Sequence, residues 1–244
     1  MDDLPPGFAL EAPRLAGPAL LDQEWRDVSL VHWRVDPAAV AHLMPAGVRP
    51  DVLDGATYVG LIGFRMHRLG VGRGVPLPYL GEFLELNVRL YSVDDAGRHG
   101  VVFLSLEASR LGATLGARAG YALPYMWSRM SESLEDGVLT LRSRRRWPTG
   151  GASSRIALRP GDVVHEPTAL DHFLTARWGL HHTVLGRPVW IPNEHSAWTL
   201  HEAELVSLED GLVAAAGVPV ADAPDVPTRF SPGVRTTFGP PQRL

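Results

Sequence analysis

The sequence predicts a mainly β fold, α+β in detail, arranged as a barrel or a highly curved sheet with two or three flanking helices. Three observations point there. Strand-like runs of about seven to eleven residues recur along the chain, many alternating apolar and polar positions. Turn-forming residues separate them, most clearly Asp94-Asp95-Ala96-Gly97, which joins two runs as a hairpin. Convincing helical spacing is confined to two stretches, beginning at Ser109 and at Thr168. At 244 residues and 45% hydrophobic content the chain can bury a large core, and all-β folds of this length often form one unit. The expected organisation is an arm over residues 1–24, a single domain over 25–244, and a proline-rich tail from about 219.

Residues 1–24 hold Pro, Ala and Leu without periodicity, which suits an arm laid over the body or left loose. A strand is expected from Val28 to Val35. Asp36-Pro37 then supplies an N-cap with proline at the first helical position, and Pro45 with Gly47 ends a short helix carrying Val40 and Leu43. Strands follow at Thr57 to His67, Phe83 to Val93 and His99 to Glu107. From Ser109 the spacing becomes helical, with Gly112, Gly116 and Gly120 four apart on one stripe. Each glycine weakens a helix by about 1 kcal/mol relative to alanine, so close packing against the sheet must compensate, or a ligand approaches the backbone. Gly137 opens a strand that runs to Trp147 and breaks at Thr149-Gly150-Gly151. An amphipathic helix fits Thr168 to Arg177, with Leu170, Phe173 and Leu174 on one side. Further strands fit Val184 to Ile191, turning near Gly186-Arg187, then His195 to Val206 and Val213 to Val218. The tail reads as mostly non-regular, with Phe230 to Val234 its most ordered part.

Composition excludes several function classes. All 23 basic side chains are arginine, so no lysine amine is present to form a Schiff base, and arginine cannot replace it. With no cysteine there is no disulfide, thiolate nucleophile or Cys-ligated zinc, and a reducing compartment suits the chain. The net charge is −4, and the longest like-charge block is Arg144-Arg145-Arg146, read as a solvated strand end. Neither a nucleic-acid nor a membrane-surface partner is expected. The start Met1-Asp2-Asp3 lacks a signal-peptide pattern, and no apolar run approaches the ~20 residues that span a bilayer, so a soluble cytoplasmic protein is expected. His181 and His182 diverge on a strand, and His195 and His201 lie roughly 20 Å apart at strand rise. No histidine pairing nucleates a metal site, and none is expected. Walker, dinucleotide and Gly-x-Ser-x-Gly patterns are absent, so no cofactor is expected. Gly70-Val71-Gly72-Arg73-Gly74 reads as a mobile loop and a candidate lid.

The segment Phe83 to Tyr91 is the most informative for chemistry. Strand alternation puts Leu84, Leu86, Val88 and Leu90 on one face and Glu85, Asn87, Arg89 and Tyr91 on the other. A solvated strand face would look similar. An acid, an amide and a guanidinium in successive same-face positions also make a pocket wall with a proton-transfer group, an orienting group and a carboxylate fork. His32, in Val31-His32-Trp33, is either a hydrogen-bonded core histidine or a general acid or base.

Several segments together resemble the YqjF-like family of the acetoacetate decarboxylase-like superfamily. They are His32-Trp33, Leu43-Met44-Pro45, Asp54-Gly55 with Val59-Gly60-Leu61, Phe83 through Arg89 with Tyr91, Ala117-Arg118 with Tyr121 and Pro124-Tyr125, His195 with Trp198, and Ser231 to Val234. The resemblance runs in order over roughly residues 25 to 240. It implies a curved antiparallel sheet closing into a barrel-like cone around a central pocket. It also implies that the segment supplying the Schiff-base lysine of true acetoacetate decarboxylases corresponds to Gly120 to Tyr125, where a tyrosine stands instead of an amine. By position, the resemblance also implies that Glu85 stands where the superfamily has its pocket carboxylate.

Two readings follow. In the first, an enzyme acts on a small oxo or hydroxy carboxylate or polyketide-like metabolite by non-Schiff-base lyase, hydratase, isomerase or cyclase chemistry. Glu85 is its acid or base, His32 or Tyr125 its proton partner, and Arg89, Asn87 and Arg118 hold and orient an anion in a pocket shared with Tyr121, Trp198 and His195. In the second, a non-catalytic binding or sensing module has kept the pocket, and Glu85 and Arg89 pair with each other across its wall. Self-association is left open.

Overall fold

The computed structural model describes residues 4–74, 76–221 and 223–244, and the side chains of these except at 116, 117 and 119–121. In chain order the elements are β1 (Leu21–Val35), α1 (Pro37–Val40), β2 (Val48–Pro50), β3 (Thr57–Val71), β4 (Phe83–Asp94), β5 (His99–Ala108), α2 (Leu111–Tyr121), β6 (Tyr125–Glu135) and β7 (Val138–Trp147). They continue with β8 (Ser153–Val163), α3 (Ala169–Thr175), β9 (Gly179–Val184), β10 (Arg187–His195), β11 (His201–Asp210), α4 (Leu212–Ala215), β12 (Arg229–Phe238) and β13 (Gln242–Arg243).

The expected closure of a curved antiparallel sheet into a barrel-like cone is corrected by the topology. One mixed sheet runs β13-β10-β9-β5-β6-β7-β8-β11-β12-β1-β3-β4-β2, with β13 and β2 as its ends. It branches instead of forming a single barrel wall. β5 pairs with β4 along its length, while its other edge is shared between β9, at Val101, and β6, at Leu106 to Ala108. β12 does the same: β1 takes one edge, and β11 and β10 divide the other. Both extra partners of β5 run parallel to it. A parallel neighbour needs a crossover of a dozen or more residues, and α2 lies in the crossover that brings β6 alongside β5.

The long strands at Thr57, Phe83 and His99 and the Asp36-capped turn occur as the sequence predicts. Asp36 accepts a hydrogen bond from Ala38 N. The Thr168 helix is closed by a capping box. Thr168 Oγ1 accepts from Asp171 N, and the Asp171 carboxylate accepts from Thr168 N. The arm ends earlier than expected, because Leu21 already pairs with Phe238 and Val71. Before that, Phe8 stacks on Phe173 and Ala9 O accepts from Trp178 Nε1, so this part of the arm is laid over the body. The Gly70–Gly74 segment is largely tied down: Gly70 and Val71 pair with β1, and Gly72 N donates to Leu20 O.

Other expectations are corrected. Val213 to Val218 contains a helical turn and no strand, since the Asp210 carboxylate accepts from Val213 N and the alanine run that follows favours helix. β6 and β8 were hidden by polar residues on both faces and by Pro160-Gly161, and Pro160 sits beside a register shift where a missing donor is tolerated. The tail carries β12, concealed by Pro232-Gly233. Gly233 has φ +132°, and a Cβ there would collide with the Trp25 carbonyl oxygen, so the strand can pair with β1 only with glycine at this point. In the helix expected from Ser109, a Cβ on Gly112 would meet Leu80, which is the close-packing role; the counterparts at 116 and 120 lie outside the described side chains.

Candidate functional site

β4 is buried along its whole length. Glu85, Asn87 and Arg89 are therefore not a solvated face, and each must find its partners inside the protein. Between β1, β3, β4 and β5 on one side and β9, β10 and β12 on the other lies a cavity with two adjoining lobes that share Trp25, Phe103, Leu180 and Phe238. The larger, about 70 Å³, contains Glu85 and Tyr125 among mostly apolar side chains that include Met66, Leu106 and Ile191. The smaller, about 20 Å³, contains Arg89, Arg177, Asn193, His195 and Trp198.

Glu85 is 2% exposed and has no cation beside it among the described residues. Its Oε2 accepts from the Tyr125 hydroxyl at 2.8 Å, and its Oε1 receives a long contact of 3.4 Å from Asn87 Nδ2. Burial pushes its carboxyl pKa up to about 7, and the two hydrogen bonds only partly offset this. Burial, followed by the neighbouring carboxylate, holds the Tyr125 phenol well above its ordinary pKa, so it stays a proton donor. The crossover through α2 creates this pair. Tyr125 opens β6 opposite Leu106 and reaches Glu85 across the intervening strand β5. Asn87 lines neither lobe, and its buried Oδ1 has no partner among the described residues.

Arg89, 7% exposed, makes no ion pair among the described residues. Its Nε and Nη2 donate to the Tyr91 hydroxyl at 3.3 and 3.2 Å, and Nη2 also donates to Leu174 O at 3.2 Å, a carbonyl presented by α3. Two guanidinium N–H groups thus use the lone pairs of the Tyr91 oxygen, whose own proton points to His32 Nε2 at 2.7 Å. His32 lies outside both lobes. Burial, then the charge on Arg89, keeps its pKa well below the usual value, so it is a neutral acceptor that orients Tyr91. Glu85 and Arg89 do not pair, so the cross-wall ion pair expected for a non-catalytic module is absent.

The residue that sequence reasoning missed is Arg177, 4% exposed in the same lobe as Arg89. Its Nη1 donates to Asp51 Oδ2 at 2.5 Å and its Nε to Phe173 O at 2.6 Å, while its buried Nη2 has no partner among the described residues. Asp51 also binds His99 Nδ1 at 2.7 Å. Nothing in Thr175-Ala176-Arg177-Trp178 marks this arginine as a site residue; its role depends on the turn after α3.

Two further candidates fall together, and Arg118 does not join them. His195 and Trp198 meet edge to face at 5.5 Å beside Arg89. Arg118 lines neither lobe. Its Nη1 donates to Tyr125 O at 2.8 Å and its guanidinium lies over Trp147, so it props up the start of β6. The Tyr121 side chain lies outside the described residues. No Gly70–Gly74 residue lines either lobe.

The model of DUF2071, described as an uncharacterized conserved protein, matches residues 22–235. The chain belongs to the DUF2071 family. The uncharacterized protein YqjF of Bacillus subtilis (strain 168) is 28% identical over 206 residues, 84% of each chain. Among solved structures, the enduracididine biosynthesis enzyme MppR complexed with pyruvate is similar to this DUF2071 protein with a TM-score of 0.62 at 17% identity, covering 96% of this chain and 93% of that one. Acetoacetate decarboxylase from Legionella pneumophila gives a TM-score of 0.60 at 12% identity, covering 97% and 93%. The fold is that of acetoacetate decarboxylase-like enzymes, a pocket fold, carried here by a sequence without a lysine.

Proposed function

We propose that this DUF2071 protein binds a small oxo or hydroxy carboxylate, or a polyketide-like acid, and acts on it by acid/base lyase, hydratase, isomerase or cyclase chemistry without a Schiff base. The observation that carries the proposal is the pairing of one cavity lobe holding a carboxyl group poised near neutrality with an adjoining lobe holding two guanidiniums. Among the described residues Arg89 has no carboxylate of its own and Arg177 keeps an unpartnered N–H; a substrate carboxylate would partner both. Glu85, ionised in part at neutral pH, accepts a proton from carbon next to a carbonyl or returns it, and Tyr125 donates to the oxygen on which charge develops. Tyr91, held by His32, positions Arg89, while Asn87 supports the carboxyl of Glu85.

The geometry also bears on substrate length. Glu85 and Arg89 are four residues apart on β4, about 13 Å at strand rise, and Arg89 reaches onward to Tyr91 and Leu174. A carboxylate on Arg89 and a carbon reached by Glu85 therefore fit an acid longer than three carbons, its chain lying among Leu21, Trp25, Phe103 and Leu180. MppR, of the same fold, has been captured with pyruvate and with a condensation product of pyruvate and imidazole 4-carboxaldehyde, which supports an oxo acid as the ligand class to test here.

The test is a thermal-shift screen of oxo, enoyl and hydroxy acids with the wild type and Arg89→Ala, each hit being incubated and followed by mass spectrometry. A ligand at a hundredfold its Kd adds about 2.7 kcal/mol of stability. The proposal expects a hit that Arg89→Ala loses and that the wild type converts. A bound acid that persists unchanged makes the protein a binding module, and stabilisation undiminished by Arg89→Ala removes the anion site.

A further inference from the structure

The outward face of β6, β7 and β8 carries charge that the fold leaves unneutralised. Strand pairing sets Arg129 opposite Arg144 and Arg144 opposite Ser153 in one row. The next row sets Ser131 opposite Arg142, Arg142 opposite Arg155 and Arg155 opposite Glu209. These residues line a surface cavity of about 410 Å³ in which Glu209 is the one carboxylate among the lining residues. Like charges directly opposite each other destabilise a sheet, and two such pairs lie side by side here. None of the four arginines forms an ion pair among the described residues. Their neighbours do: Arg145 is buried against Glu107, and Arg159 pairs with Glu204 at 2.5 Å. The expectation that Arg144 to Arg146 form one solvated strand end therefore fails at Arg145 and leaves Arg142 and Arg144 as part of a two-row cationic groove.

We propose that this groove, on a face separate from the Glu85 cavity, binds the diphosphate group of a soluble metabolite. Guanidiniums take phosphoryl oxygens in bidentate fashion, and Ser131 and Ser153 add a hydroxyl donor to each row. Strands about 5 Å apart and rows about 7 Å apart set four guanidiniums around two linked phosphoryl groups. Acidic residues at the margins of the groove disfavour a long nucleic-acid backbone. The groove ends at Glu209 on one side, and Glu135 and Asp136 cap the β6–β7 hairpin.

Calorimetric titration of the full chain with inorganic pyrophosphate, at ionic strength held constant with sodium chloride, tests the assignment. Saturable binding is expected. It should weaken by at least about tenfold in the Arg142→Ser, Arg144→Ser double variant and tighten in Glu209→Gln. Removing opposed like charges should leave the double variant melting no lower than the parent; should it fail to fold, the single Arg144→Ser variant carries the same expectation of weaker binding. Absence of pyrophosphate binding, or binding unchanged in these variants, overturns the proposal. Two further arms distinguish other sources of phosphate. Binding to phosphatidic acid vesicles but not to pyrophosphate assigns the groove to a lipid headgroup, and affinity for single-stranded oligonucleotides that grows with length assigns it to nucleic acid; either result overturns the diphosphate assignment.

Discussion

Glu85 shows how one buried side chain can be legible in a sequence while its state is not. Its place on one face with Asn87 and Arg89 follows from strand alternation. That its partner is a tyrosine two strands away, and that no cation is near among the described residues, follows only from the folded chain. The consequence for pH has a definite sign. Below about pH 4.5 Glu85 is protonated in both folded and unfolded chains and adds no pH dependence. Between 4.5 and about 7 the unfolded chain ionises first, so stability falls as pH rises, and above 7 the full cost of burying the charge is present. Glu85→Gln, which retains an acceptor for Tyr125, is expected to remove that slope and to exceed the wild type by about 3 kcal/mol above pH 7, as measured by urea unfolding across pH. A difference between the two proteins that did not vary with pH would show that Glu85 ionises normally. Arg177 is the opposite case. An arginine after an apolar helix has no sequence signature, and its place beside Arg89 depends on Asp51, which lies more than a hundred residues earlier in the chain.

At the scale of elements, the hairpin and two helical segments were readable because their signals are local: Asp94 to Gly97 as a turn, Asp36 as a cap, and the one-sided Leu170, Phe173 and Leu174 as a helix; the cap by Thr168 emerged only in the structure. The misread segments are those in which local chemistry and tertiary pairing disagree. Pro160-Gly161 and Pro232-Gly233 look like strand breakers, yet both sit within strands, one beside a register shift and the other where β12 closely approaches β1. Gly233→Ala tests the second case. Its left-handed backbone and the Trp25 carbonyl leave no room for a methyl group, so a loss of at least about 2 kcal/mol is expected in chemical denaturation. A neutral substitution would mean that β12 can shift away from β1 without loss.

Across the whole molecule, strand content and the likeness of fold were accessible, but the way the sheet joins itself was not. Hairpin pairing is encoded nearby. The branching at β5 and β12 and the two parallel pairings unite residues far apart in the chain, and a period-two pattern is the same for a strand in a barrel and in a branched sheet. The branch is anchored by a buried ion pair: Glu107 on β5 accepts from Arg145 Nε on β7 at 3.0 Å and also takes Ser128 Oγ on β6 at 2.5 Å. Glu107→Leu strands the Arg145 charge in the interior and is expected to cost about 3–5 kcal/mol, with the Glu107→Leu, Arg145→Met pair recovering much of it. If the single variant unfolds no more easily than the parent, the pair does not anchor the branch.

Proton transfer by Glu85 in the cavity is the step on which the proposed chemistry depends most directly. The measurement is solvent deuterium uptake at the carbon next to the carbonyl of an oxo acid that the protein binds, followed by mass spectrometry for the wild type and Glu85→Gln. Exchange that depends on the wild type, is lost by more than about a hundredfold in Glu85→Gln and is accompanied by retained binding is the predicted result. A bound oxo acid that takes up no deuterium, or takes it up equally with the glutamine in place, would contradict the assignment of Glu85 as the acid and base of this site.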